Sequence, residues 1–252
     1  MVRTYFAYLL MIVSVPILWI LFIDLTGFKP FLVPPPKLVL QVLWDEQDVF
    51  FHHTLITLKG AALGYTLANI IAVTLAIMFL YLPALEDFVT PWMVVIKNVP
   101  FVVIASIVVI ILGQSIWPRI IVVVLISFFP VFANVQKGLR EVDIVLLERM
   151  ESLYASKWQT FAYVRWPAAM PYYIAAHEIA FTTCVIGAIV SEWLFASEGL
   201  GFMILRGMSQ YRADRVYAVT MIASVLAILL LLIIKIVEWR IFRWKGALNG
   251  TR

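Results

Sequence analysis

Cysteine is almost absent from this sequence of 252 residues: Cys184 stands alone inside an apolar run, so no disulfide framework can form. Histidine is nearly as scarce, with His52, His53 and His177 only. The His177-Glu178 pair is followed by Phe181 where an HExxH zinc helix needs its second histidine, which excludes that protease class and any His-rich metal site. His177 with Ser106 or Ser127 has no local motif of a serine nucleophile. There is no GxxxxGK[ST], so the chain has no P-loop for nucleotide phosphates. Charge is sparse as well, at 13% of residues where a soluble domain has about a quarter. What fills the chain instead is apolar: 63% hydrophobic residues and a mean hydropathy of +0.98. These values define an all-α polytopic membrane protein of one domain, residues 1–252.

Six spans are expected. Tyr5 to Ile23 is the first; it begins after Arg3 like a signal peptide but has no small-residue cleavage site before Phe28. Pro34-Pro35-Pro36 breaks the chain, and Leu38, Val39, Val42 and Leu43 then make a short amphipathic stretch suited to an interface, followed by a solvated Asp45 to His53. The second span, Gly60 to Tyr81, carries small residues at helical spacing, Gly60, Ala61, Gly64, Ala68, Ala72 and Ala76, which let membrane helices approach closely. The third, Trp92 to Leu112, is interrupted by Lys97, Asn98 and Pro100. A charge there either faces a cavity or partner, or snorkels to the interface. A turn at Gly113 to Pro118 leads to the fourth span, ending near Val135. Met170 to Phe195 is the fifth, Ala196 to Arg215 an extramembrane loop, and Val216 to Val237 the sixth.

With an even number of spans both termini share a side. Arg3, the basic residues of 137–171 and the tail from Lys235 to Arg252 outnumber those on the opposite side, Lys29, Lys37, Lys59, Arg119, Arg206, Arg212 and Arg215. Basic residues gather on the cytoplasmic face, so the termini and the polar break 137–171 are expected there.

Within that break, Asp143 is placed to cap a helix whose Leu146, Leu147, Met150, Leu153 and Tyr154 recur at spacings of three and four. Ser156 and Gln159 form a capping-box pattern, so a second helix should begin at Lys157, and Trp166-Pro167 with Met170-Pro171 should end it. Two short helices around a bend at Tyr154-Ala155-Ser156 make a knob that fits a groove on another protein.

At these residues the chain resembles the inner-membrane permeases of bacterial binding-protein-dependent ABC importers. Glu148 stands at the acidic position of their EAA-xxx-G signature, Arg149 and Met150 at the two alanines, Tyr154 at the glycine and Trp166-Pro167 at the closing element. A tyrosine should resist the positive φ a glycine allows. Ala155-Ser156-Lys157-Trp158-Gln159 is similar to the stretch that follows the glycine, and Val185 to Ile204 is similar to nitrate, sulfonate and taurine type permeases, with Glu192-Trp193-Leu194 closest to members importing pyrimidine precursors of thiamine.

The resemblance implies a non-enzymatic subunit in the bacterial inner membrane. It implies ATP and magnesium on separate cytoplasmic ATP-binding subunits, a second permease copy forming a homodimer, an extracytoplasmic solute-binding protein, lipid, and no nucleic acid. ATPase coupling falls on Glu148, Arg149, Met150, Glu151, Ser152, Leu153, Tyr154, Ala155 and Ser156. Lys97, Asn98, His177, Glu178, Ser191 and Glu192 are the pathway or gate residues, since ionisable groups within spans are functional by default. Adjacent His177 and Glu178 point about 100° apart and suit packing near the cytoplasmic end. Glu192 gates, receives the binding protein or is solvated. Glu198, Gly199, Leu200 and Gly201 form the loop for the binding protein. The solute is expected to be a heteroaromatic vitamin precursor such as a pyrimidine or riboflavin-like compound. Nitrate, a sulfonate, taurine or bicarbonate is the alternative, and a secondary transporter, for which no internal repeat is visible, the rival class.

Overall fold

The computed structural model describes residues 2–248, with side chains from 14 to 240. In chain order the helices are α1 (Val2–Thr26), α2 (Pro36–Asp45), α3 (Gln47–Tyr81), α4 (Pro83–Asn98), α5 (Phe101–Leu112), α6 (Ile116–Arg140), α7 (Ile144–Ser152), α8 (Lys157–Thr160), a π turn (Phe161–Arg165), α9 (Trp166–Phe195), α10 (Leu200–Ser209) and α11 (Ala213–Leu248). No strand occurs among the described residues.

α3, α6 and α9 form the centre. The small stripe of α3, including Ala68, Ala72 and Ala76, is buried, and Phe79, Phe128, Val131, Phe132, Val135, Ala176 and Ala180 fill the space around it. Alanines facing α6 let the backbones close up, and the phenylalanines of α6 occupy what remains. A second core joins α2, α10 and α11 through Val39, Val42, Leu200, Met203, Ala218 and Val219. Trp19 of α1 stacks on Tyr217 of α11 at 5.3 Å.

Among the described residues four helices are long and apolar enough to cross a membrane: Gln47–Tyr81, Ile116–Arg140, Lys157–Phe195 and Ala213–Arg240. The expected third span is two half-length helices, α4 and α5, bent by 96° at a break containing Pro100. Pro100 has no N–H to continue a helix, and the residue before it, Val99, is extended. The first span falls in part on residues whose side chains lie outside the described ones; from residue 14 onward it is the short apolar helix Ser14–Thr26.

Asp45 to His53 is exposed for the most part, as expected, but it is helical from Gln47, and Phe50 is buried against the second core. Two expectations are corrected. The loop 196–215 contains α10, whose Leu200, Gly201, Met203 and Gly207 are buried. Pro167 and Pro171 do not end a helix. α8, the π turn and α9 run on without interruption as Lys157–Phe195, 39 residues and about 58 Å at 1.5 Å per residue. Proline strains a helix by displacing the bond four residues back. For Pro167 that residue is Tyr163, inside the widened π turn Phe161–Arg165, so the mismatch is absorbed there.

Candidate functional site

The polar break folds as two capped helices. The Asp143 carboxylate accepts from the Val145 N–H at 2.9 Å and starts α7. The Ser156 hydroxyl accepts from the Gln159 N–H at 3.2 Å while the Gln159 side chain accepts from the Ser156 N–H at 2.7 Å, a reciprocal capping box that starts α8. Between them Tyr154 adopts φ 51. This corrects the expectation that a tyrosine would resist positive φ. The Tyr154 N–H donates to the Glu151 carbonyl at 2.9 Å and the Ala155 N–H to the Met150 carbonyl at 3.0 Å, the paired bonds of a Schellman turn, whose C′ residue is left-handed. The ring is 97% exposed, so nothing near it opposes that backbone. Glu148, Arg149, Glu151, Ser152, Leu153 and Ser156 are exposed around it, and Met150 and Ala155 are half-buried beneath.

At the other end of α9, Ser191 and Glu192 come together with residues 198–201. Glu192 is fully buried, which corrects the solvated reading. Its Oε1 lies 2.8 Å from Arg119 Nε, off the N–H line, so the contact is ionic in character. Its Oε2 accepts from the Thr57 hydroxyl at 2.8 Å and from the Gly201 N–H at 3.0 Å. Thr57 Oγ1 accepts from the Leu200 N–H at 2.9 Å, and His53 Nδ1 from the Gly199 N–H at 2.9 Å. The first amides of α10 are thus satisfied by α3 and α9, not by a cap of its own, with a carboxylate at the positive helix end. Glycine is required on both sides of Leu200. Gly199 has φ +108, and a Cβ on Gly201 would run into the Ile189 carbonyl and the backbone of Trp193.

Beside this knot lies a cavity of about 280 Å³ whose polar lining includes Lys59, Gln114, Ser115, Arg119, Ser191 and Glu198. Lys97 and Asn98 are elsewhere, exposed on the last turn of α4, where a second cavity of about 290 Å³ separates the α4–α5 break from Leu125, Ile126 and Phe129 of α6. His177 and Glu178 diverge as their adjacency requires. His177 Nδ1 meets the Tyr65 hydroxyl at 2.6 Å within a ring cluster with Tyr173 and Phe181. Glu178 pairs with Lys235 of α11. The six pathway residues therefore fall in four places in a single chain: Lys97 with Asn98, His177, Glu178, and Ser191 with Glu192. Outside the spans, Arg212 in the α10–α11 turn is held by Asp214, whose carboxylate raises its pKa above the ordinary guanidinium value.

Sequence reasoning missed Thr57, Arg119 and His53. Thr57 carries no charge, His53 lies in a stretch that reads as solvated, and Arg119, at the start of an apolar run, counts only as one of the basic residues on the side opposite the termini. The available signal was its place in the first turn of that run, where a cation needs a partner.

Residues 68–243 match the protein family described as binding-protein-dependent transport system inner membrane component. The chain belongs to this family. It is the permease subunit of an ABC importer, a transport subunit rather than an enzyme, and it lies in the membrane. A formylaminopyrimidine transport permease protein of Halalkalibacterium halodurans is 32% identical over 218 residues, covering 86% of this chain and 87% of that protein. A riboflavin transport system permease protein of Chloroflexus aurantiacus is 25% identical, covering 92% and 87%, and a taurine transport system permease protein of Escherichia coli is 24% identical, covering 86% and 82%. The permease also shares its fold with a chain of the inward-facing MetNI methionine ABC transporter, at a TM-score of 0.62 and 18% identity, covering 81% of this chain and 97% of that one.

Proposed function

We propose that this permease lines the route of a small, neutral heteroaromatic vitamin precursor across the membrane, driven through α7, the Tyr154 bend and α8 by a cytoplasmic ATP-binding subunit. The observation that carries the coupling reading is the exposed Tyr154 tip. It stands between two N-capped helices, and one of them continues without a break into α9, so a push on the bend is delivered to a membrane helix. ATP and magnesium belong to the partner. Two copies of the permease, with their termini and residues 137–171 on the cytoplasmic side, would share the route, and a solute-binding protein would deliver to the other face. The excess of basic residues on the side of the termini supports this orientation.

For the solute, the formylaminopyrimidine relative supports a planar heterocycle. The outer cavity supports a neutral one: its charged lining, Lys59 and Arg119 against Glu192 and Glu198, is formally balanced, so an anion gains no net attraction. The second reading, a sulfonate or taurine, rests on relatives of 25% and 24% identity.

Deleting 148–156, or reversing Glu148 and Glu151 to lysine, should abolish co-purification of the ATP-binding subunit while membrane insertion persists. Retained association would refute the coupling reading. Titrating the importer's solute-binding protein with a formylaminopyrimidine, an alkanesulfonate and taurine should show binding of the first only; binding of the sulfonate or taurine instead would select the second reading.

A further inference from the structure

Ser191 is 4% exposed, and its hydroxyl has no hydrogen-bond partner among the described residues. A serine or threonine inside a helix commonly turns its hydroxyl back to the carbonyl four residues earlier. Thr66, Ser106, Ser152, Thr182, Thr220 and Ser224 all do so here, at 2.8 to 3.2 Å. Ser191 does not. Nor is its oxygen sealed in the core, as the unpartnered oxygen of Ser127 is. The open space it meets is the cavity of about 280 Å³ beside the Glu192 knot, which it lines.

Two other residues of that lining repeat the pattern. Ser115 stands at the N-cap of α6 in the extended backbone a capping serine uses, yet its side chain makes no cap bond. Arg119 is 9% exposed, and its terminal nitrogens donate only to the Ile56 and Glu198 carbonyls, at 3.4 and 3.3 Å, long for bonds of this kind. Gly60 makes room for its stem: a Cβ there would fall 2.1 Å from Arg119 Cδ. A buried hydroxyl turned away from its own helix, and a guanidinium fixed in place with its donors loosely used, are costly to the fold unless a ligand completes them.

Their chemistry names the ligand. A guanidinium only donates, so what lies against it must carry acceptors. Glu198 lines the same cavity with a carboxylate that makes no hydrogen bond or ion pair among the described residues, and it accepts a donor. An anion would have to sit beside two carboxylates, those of Glu192 and Glu198. A neutral aminopyrimidine carries acceptor nitrogens and a donor amino group on one ring. The volume lies just under the roughly 300–1,000 Å³ of typical ligand pockets, a size for one substituted ring and too small for the three fused rings of a flavin.

We propose that this cavity is a subsite for the solute within the permease, where Ser191 and Arg119 donate to the ring nitrogens or a carbonyl oxygen, Glu198 accepts from the amino group, and the volume admits a single ring. Ser191 is its specificity-determining residue. The inference rests on the neutral-solute reading given above.

The test uses the assembled importer in proteoliposomes, supplied with its solute-binding protein. Wild type should take up a formylaminopyrimidine; uptake of taurine or an alkanesulfonate in its place would remove the solute reading, and this proposal with it. Given pyrimidine uptake, Ser191→Ala should lower it about tenfold, the size of one lost hydrogen bond, while Ser191→Thr keeps it. The melting temperature of Ser191→Ala should match wild type, because the hydroxyl holds nothing in the fold. Ser115→Trp, reaching in from an exposed turn, should fill the cavity and stop uptake with the ATP-binding subunit still attached. Ser191→Cys in a Cys184→Ser background should react with a small water-soluble thiosulfonate, and the pyrimidine should suppress that reaction where taurine and a flavin do not. Wild-type uptake in both Ser191→Ala and Ser115→Trp would overturn the proposal. So would a position 191 thiol that the reagent never reaches, that the pyrimidine leaves unprotected, or that the flavin protects equally well.

Discussion

Arg119 Nε and Glu192 Oε1 stand 2.8 Å apart at a point where the Glu192 side chain exposes no surface. They join α6 to α9, and through Thr57 and Gly201 the same carboxylate also holds α3 and α10. A buried charge that loses its counter-ion is costly, about 3–5 kcal/mol, whereas removing both charges together is often close to neutral. Arg119→Met should therefore lower thermal stability sharply, and Arg119→Met with Glu192→Gln should recover much of the loss. Melting curves of the purified permease check this; a double variant as unstable as the single one would show that the charge pair is not what matters.

Gly201→Ala should be damaging for a different reason. Its Cβ would press on the Ile189 carbonyl and the backbone of Trp193, neither of which can move without bending α9. Overpacking of this kind costs about 1–3 kcal/mol. Limited proteolysis should reveal faster cutting within Ala196–Arg215, whereas alanine at solvent-facing Ser209 should leave the cutting rate unchanged.

Tyr154→Gly separates stability from function. A left-handed non-glycine residue costs about 1–2 kcal/mol, so glycine should stabilise the bend, while losing a ring that is 97% exposed should weaken ATPase association. Thermal melting and pull-down of the ATP-binding subunit should thus move in opposite directions. If both improved, the ring would have no part in docking.

The π turn sets the angle between bend and span. Deleting Ala162 should convert Phe161–Arg165 to ordinary α register and rotate α8 and the bend by about 100° relative to α9. Membrane insertion should survive, and ATP-driven uptake should fall to background. Uptake at the normal rate would mean that the bend's orientation is not read by the partner.

Much of this was legible in the chain. The caps at Asp143 and Ser156 are local devices written in a few residues, and both formed. The small stripe on α3 named its buried face because close approach demands small side chains wherever the partner helix lies. The failures share a cause. Pro167 and Pro171 read as stops because the rule is local, while the π turn that absorbs the mismatch at Pro167 has no sequence mark. A solvated Glu192 and an open loop at Gly199-Leu200-Gly201 are the readings that fail, because the partners of Glu192, Thr57 and Arg119, lie 135 and 73 positions away along the chain. Nothing in short-range spacing reveals a contact made at that separation.

The central claim is that the Tyr154 bend is the point of contact with the ATP-binding subunit. A benzophenone photo-crosslinker placed at Tyr154 in the assembled importer tests it directly. Irradiation should yield one adduct of the permease with the ATP-binding subunit, its yield changing between the nucleotide-free and ATP-trapped states, while the same probe at Tyr211 should yield none. Adducts with lipid alone at Tyr154, or the ATP-binding subunit captured at Tyr211, would contradict the account.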